Sequence, residues 1–169
     1  MNKSVSAMIR PINTSDAQFV AEIYNHYVSN TTVTFEEHLV TSQDMVARID
    51  ECKTNGLPWF VAIDENQIIG YCYASKWKGR CAYRYSVEAT VYLSPTATSK
   101  GWGTQLYNQL LSQLTEQGIH AVVCGIALPN DASIALHEKF GMEKVAHFKQ
   151  VGRKFDTWID VGYWQCLLT

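Results

Sequence analysis

No apolar run in the sequence approaches the roughly 18 residues that a membrane-crossing helix needs. The first eight residues carry a single charged side chain, Lys3, and no apolar stretch of the export-signal kind. A cytoplasmic protein with no membrane partner is therefore expected. Surplus positive charge is missing too: 14 Lys and Arg stand against 16 Asp and Glu, and the positive residues are scattered, which speaks against nucleic acid as a partner. The five cysteines, Cys52, Cys72, Cys81, Cys124 and Cys166, are odd in number and have no pair at metal-knuckle spacing, so reduced thiols are expected rather than disulfides or zinc. His26, His38, His120, His137 and His147 show no ligand spacing, and no metal is expected. Both familiar nucleotide patterns are absent. Lys100 precedes the first glycine of the only candidate loop, where a Walker loop would have it after the last, and Leu106 stands where a dinucleotide fingerprint needs its third glycine.

What is present fits one core. A chain of 169 residues, 47% hydrophobic, is long enough for a single domain over 1–169 and short for two. It is organised around residues 87–107, where an apolar strand breaks at Ser94-Pro95, passes through a small polar turn, and enters a helix through Gly101-Trp102-Gly103. Glycines there remove the Cβ atoms that would hold an anion off the backbone, and the first turn of the helix offers unpaired N–H groups to a diphosphate. With the ordinary nucleotide loops excluded, the remaining ligand has a diphosphate and a long neutral arm lying beside the preceding strand.

The rest of the pattern alternates strands and helices. Residues 7–12 read as a strand ending near Pro11, and Thr14 or Ser15 can cap a helix to about Tyr27. Residues 31–35 read as a loop lining a site, and Thr41 with Asp44 as a capping box opening a helix to about Cys52. Residues 59–63 and 67–73 flank a turn at 64–66, a hairpin. Residues 75–82 form a cationic loop around Trp77, followed by a strand from about Tyr83 to Leu93. Leu106, Leu110, Leu111 and Leu114 make the buried stripe of the next helix, residues 120–127 an apolar parallel strand, and Asn130 the cap of a helix stopped by Gly141. Residues 143–150 and 158–168 read as two antiparallel strands across a loop at 152–156.

Glu88 is the acid most out of keeping with its surroundings, inside an apolar strand just before the turn. It is either a structural partner of Arg84 or a neighbouring strand, or a general base with a raised pKa. His137, seven residues after Asn130, can face the same groove. Tyr107 reads as core. Cys124, with no histidine beside it in sequence, reads as a buried thiol rather than a nucleophile.

Across residues 9–165 the sequence resembles the GNAT superfamily of acetyltransferases, and within it the phosphinothricin and methionine sulfoximine N-acetyltransferases. The likeness is carried by Ile23-Tyr24-Asn25-His26-Tyr27-Val28, residues 31–35, Val87-Glu88-x-x-Val91-Tyr92, Leu128-Pro129-Asn130 with Leu136-His137-Glu138, and Gly152-x-Lys154-x-x-x-Trp158-x-Asp160-Val161-Gly162. The resemblance implies an α/β fold with a mixed, mostly antiparallel sheet flanked by helices, whose parallel fourth and fifth strands splay apart around the pantetheine arm of acetyl-CoA. It implies main-chain contacts to that arm from Val91 and Leu93, a pyrophosphate held by Ser99, Lys100, Gly101, Trp102, Gly103 and Thr104, and a cofactor contact from Asn130. Glu88 falls where the family places its base or water-holding acid, and His137 where many members carry a tyrosine that protonates the departing thiolate. For the acceptor, a small amino acid or analogue, the resemblance implies Lys78, Arg80 and Lys154 meeting acidic groups and Phe35, Trp77 and Tyr83 shaping the pocket, in a homodimer. Thr98 and Ser99 depart from the superfamily pattern, which commonly has Gln or Arg and then Gly at these places. The competing expectations are another amine acceptor, a polyamine or a protein N-terminus, and a non-catalytic acetyl-CoA sensor.

Overall fold

The computed structural model describes residues 7–168. Its strands are β1 (Met8–Pro11), β2 (Trp59–Asp64), β3 (Gln67–Lys76), β4 (Ser86–Leu93), β5 (Ala121–Ala127), β6 (Glu143–Lys154) and β7 (Thr157–Leu167), and its helices are α1 (Ala17–Asn30), α2 (Ser42–Thr54), α3 (Trp102–Glu116) and α4 (Asp131–Lys139). The strands form one sheet in the order β1-β2-β3-β4-β5-β7-β6. Period-two alternation sends Trp59 and Val61 to one face of β2 and Phe60 and Ala62 to the other, so each face has its own core. On one face Val20, Ile23 and Val28 of α1 and Met45 and Ile49 of α2 cover Trp59, Val61 and Tyr71. On the other, Leu106, Leu110 and Leu114 of α3 cover Phe60, Cys72, Val87 and Val122. Cutting any one of these α3 leucines to alanine would cost about 2–5 kcal/mol.

The sheet is antiparallel except where β4 meets β5, joined through α3 as a parallel pair must be. That pairing lasts for three positions, Ser86 with Ala121, Val87 with Val122 and Glu88 with Val123, although both strands continue. The bonds from Trp77 N to Ser86 O and from Ser94 N to Ile69 O bracket β4. They set the phase in which Ser86, Glu88, Thr90 and Tyr92 bond to β3 while the main chain of Val87, Ala89, Val91 and Leu93 faces β5. Past Glu88 those groups face an opening between the strands.

Local chemistry explains several element ends. The Thr41–Asp44 capping box forms as expected. Before α1, however, neither Thr14 nor Ser15 is the cap: both lie in a short 3-10 turn that starts after Asn13, and Asp16 ends it. Asp16, 6% exposed, accepts from Arg10 at 2.7 and 2.9 Å and from the Asn13 N–H, and the Arg10 guanidinium holds its carboxyl below the usual range. Tyr83 belongs to another 3-10 turn and β4 begins only at Ser86. The hairpin loop expected at 152–156 is tighter than that. β6 runs to Lys154, and the turn is Phe155-Asp156, both at positive φ like Glu65-Asn66 in the β2–β3 hairpin. The longer strand accommodates a slip in register between Phe148 and Gly152, where the Gln150 N–H donates to Asp160.

Candidate active site

The opening between β4 and β5 is a cavity of about 510 Å³ that takes in Glu88, Thr90, Val91 and Tyr92 from β4, Gly125 and Ile126 from β5, Asn130, Ser133 and His137 around α4, and Val33, Thr34 and Phe35 from the loop after α1. Side-chain alternation divides it. Ala89, packed with Val87 and Cys124, belongs to the α3 face, whereas Tyr92 belongs to the α1–α2 face, and Glu88 and Thr90 share its parity. Glu88 therefore projects on the side away from α3, at the last paired position before the strands part. Burial raises its carboxyl pKa, opposed by the positive charge of Lys78. Arg84, its proposed structural partner, donates instead to the Cys81 carbonyl.

Past the end of β4 and a short 3-10 turn at Pro95–Ala97 the chain enters the glycine turn. Gly101, at φ +84, is the residue before the first turn of α3, and Ser99 at φ +61 is also left-handed, so the chain coils tightly before the helix. A Cβ at Gly103 would lie 3.2 Å from the end of the Leu136 side chain of α4, which would have to give by a few tenths of an ångström to admit it. The free amides of the first helical turn are what an anion requires. Lys139 of α4 adds a charge, its Nζ 3.2 Å from Thr104 Oγ1. Of the two main-chain positions expected to meet a ligand arm, Val91 lines the cavity, while the Leu93 carbonyl already accepts from Tyr27 Oη, leaving Leu93 to face the wedge with its N–H. Asn130 caps α4, its Oδ1 accepting from Ser133 N at 3.2 Å, and borders the cavity. These residues fit a ligand that joins a diphosphate to a chain able to pair with a strand edge.

His137 is 4% exposed. Its Nδ1 lies 2.6 Å from the Ser133 carbonyl, which can only accept, so the proton of the neutral ring sits there. Its Nε2, 2.7 Å from Tyr107 Oη, then accepts from the phenol. Burial lowers the pKa of the ring and keeps it uncharged. Tyr107 is buried as expected, but its hydroxyl also reaches Cys124 Sγ at 3.4 Å. Burial pushes the Cys124 thiol up to about 12 and disfavours a thiolate nucleophile.

The sequence matches the acetyltransferase (GNAT) domain family over residues 9–162. The chain belongs to the GNAT acetyltransferases. It is 39% identical over 157 residues to the phosphinothricin N-acetyltransferase of Streptomyces viridochromogenes, covering 93% of this chain and 85% of that one. It is 35% identical over 162 residues to an L-methionine sulfoximine/L-methionine sulfone acetyltransferase of Pseudomonas paraeruginosa, covering 95% and 94%. Among solved structures, a GNAT superfamily phosphinothricin acetyltransferase from Sinorhizobium meliloti in complex with acetyl-CoA superposes with a TM-score of 0.93 at 36% identity, covering 97% of this chain and 89% of that one.

The residues expected at the acceptor side are only partly brought together in this acetyltransferase. Phe35 lines the wedge. Lys78, Arg80 and Tyr83 line a recess of their own, about 300 Å³, in the exposed loop before β4. Trp77 links the two, stacked under Lys78 and edge-on to Tyr163 at 5.6 Å between ring centres. Lys154 does not line the wedge: its Nζ donates to the Thr34 carbonyl at 2.9 Å, so the ammonium expected to meet an acidic group of the acceptor is turned into the protein. Sequence reading missed Tyr163 and Phe148, whose rings meet at 5.8 Å beside Gly125, and it missed Lys139. For Tyr163 the signal was its place in the alternation of β7. For Lys139 there was none, because the approach of α4 to the start of α3 is a tertiary fact.

Proposed function

We propose that this acetyltransferase moves the acetyl group of acetyl-CoA to the α-amine of a small amino acid or analogue such as phosphinothricin, methionine sulfoximine or methionine sulfone. The observation that carries the reading is a half-buried carboxylate, Glu88, on the face of the wedge opposite the phosphate cradle, beside a recess lined by Lys78 and Arg80. Acetyl-CoA would supply an acetyl group already activated as a thioester. The amides of Ser99, Lys100, Gly101, Trp102, Gly103 and Thr104 would hold its pyrophosphate, and Val91, the Leu93 N–H and Asn130 its arm. An amino acid is an ammonium near neutral pH and must lose a proton before nitrogen can attack. Glu88, made more basic by burial, accepts that proton directly or through water. Arg80 and Lys78 pair with the acceptor carboxylate, while Phe35, Trp77 and Tyr83 shape the pocket. Because both ring nitrogens of His137 are engaged, we assign it the task of fixing Ser133 and α4 against the wedge rather than of donating to the departing thiolate.

The protein is proposed to be cytoplasmic and homodimeric. Val145, Val151, Phe155 and Trp158, each more than half exposed on the β6–β7 hairpin, offer an apolar surface for a second copy. A panel of amino acids, their analogues, polyamines and peptide N-termini, assayed with acetyl-CoA by release of free thiol, tests the function. Turnover is expected with the neutral and acidic amino-acid acceptors. Turnover confined to polyamines or peptides, or none at all, would overturn the reading.

A further inference from the structure

β6 ends with a lysine ammonium inside the protein. Lys154 is 2% exposed, and its Nζ lies 2.9 Å from the carbonyl of Thr34 and 3.5 Å from that of Tyr27. A buried charge is a costly way to fill a core, so what it holds matters. It holds the wall of the wedge: Val33, Thr34 and Phe35 all border the cavity. Two residues earlier on the same face of β6, Gly152 is roofed by Phe35, and a Cβ there would sit 2.4 Å from two carbons of that ring. The glycine is required for space rather than for backbone conformation, since its φ is not positive. The helices grip the same loop from the other side, through Tyr24 Oη at 2.6 Å from Thr34 Oγ1 and the Arg48–Glu36 ion pair.

We infer that Lys154 and Gly152 are positioning residues that latch residues 31–36 onto the β6–β7 hairpin and so set the acceptor side of the wedge. Lys154 fixes the backbone through Thr34, and the missing side chain of Gly152 fixes where the Phe35 ring rests. Neither touches the reacting atoms. The inference rests on the amino-acid acceptor reading for its kinetic consequence, but not for the latch itself.

Two variants test it. Lys154→Met keeps the apolar stem and removes the donor, while Gly152→Ala displaces Phe35. Both are expected to raise KM for the best amino-acid acceptor at least tenfold and to change KM for acetyl-CoA less than twofold. In Lys154→Met the amides of residues 31–36 should exchange with solvent deuterium at least tenfold faster, with those of β2 and β3 unchanged. Because the conflict at Gly152 is with the ring, Gly152→Ala should add nothing to the acceptor KM of Phe35→Ala. Equal changes in both Michaelis constants with exchange accelerated throughout the chain, an unchanged acceptor KM, or a further increase in the double variant would overturn the latch. If the wild type acetylates no amino acid, the acceptor reading falls, and exchange in residues 31–36 alone decides the latch, unchanged rates overturning it.

Discussion

On the α3 side the sheet offers mainly backbone: the unpaired edge of β4 past Glu88 and, beyond it, the amides at the start of α3 after the left-handed Gly101. On the α1–α2 side it offers side chains from separate segments, namely Phe35, Glu88, Phe148 and Tyr163, with the Lys78–Arg80 recess beside them. On the proposed function the contrast follows from what each side has to recognise. A diphosphate on a neutral arm can be held by any chain with the right φ and ψ, whereas choosing one amine among many requires shaped and charged groups. Substitutions on the first side should therefore alter cofactor affinity and leave acceptor choice alone, and substitutions on the second side the reverse.

The largest effect that sharpens this division is expected at Glu88. Glu88→Gln keeps the size of the side chain and should bind acetyl-CoA normally, yet lose roughly 10²-fold or more in kcat/KM near neutral pH, measured with the best acceptor. Its stability should move the other way. A carboxyl whose pKa is raised on folding is protonated in the native state before the unfolded one, so its contribution weakens as pH rises above about 4.3. Glu88→Gln should accordingly be at least as stable as wild type at pH 7 in denaturant titrations and lose that advantage in acid.

Gly103→Val comes next, expected to weaken acetyl-CoA binding at least tenfold, about 1.4 kcal/mol, with acceptor selectivity unchanged. Calorimetric titration of the folded variant checks it, and unchanged affinity would remove the cradle assignment. Arg80→Ala should raise acceptor KM about tenfold and leave that of acetyl-CoA in place, because alanine cannot pair with a carboxylate. Equal effects on both constants would leave Arg80 without a part in acceptor recognition. His137→Phe should show the smallest kinetic change, a few-fold in kcat, roughly the scale of one displaced contact. Its cost is instead stability, about 1–3 kcal/mol, since the buried Tyr107 hydroxyl loses its acceptor. His137→Gln should remove an acid-side weakness: burial lowers the histidine pKa, so the wild type loses stability as pH falls below about 6.5. Thermal melts between pH 5 and 8 measure both.

The backbone side was the more legible in sequence, because its determinants are local. Ser94-Pro95, Gly101 and Gly103 lie within ten residues, and apolar alternation in 86–93 already marks Glu88 as an intruder. The acceptor side joins residues more than a hundred positions apart. Nothing local to Lys154 distinguishes an ammonium reaching an acceptor from one bonded to Thr34, and nothing near Tyr107 tells a purely apolar core tyrosine from one whose hydroxyl holds His137. The start of α1 was misplaced for a related reason, since Arg10 of β1 makes Asp16 more useful at the end of a 3-10 turn than Thr14 or Ser15 are as helix caps.

The central claim, that Glu88 takes the proton from the acceptor amine, is tested most directly by pH–rate profiles of wild type and Glu88→Gln with the same acceptor. The wild-type acid limb should lie above the ordinary carboxylate range, because burial raises the pKa of the base. The gap between the two enzymes should close as pH rises, when the amine deprotonates in solution and needs less help. Parallel profiles separated by a constant gap at every pH would contradict the assignment and leave Glu88 as a structural acid at the fork of the wedge.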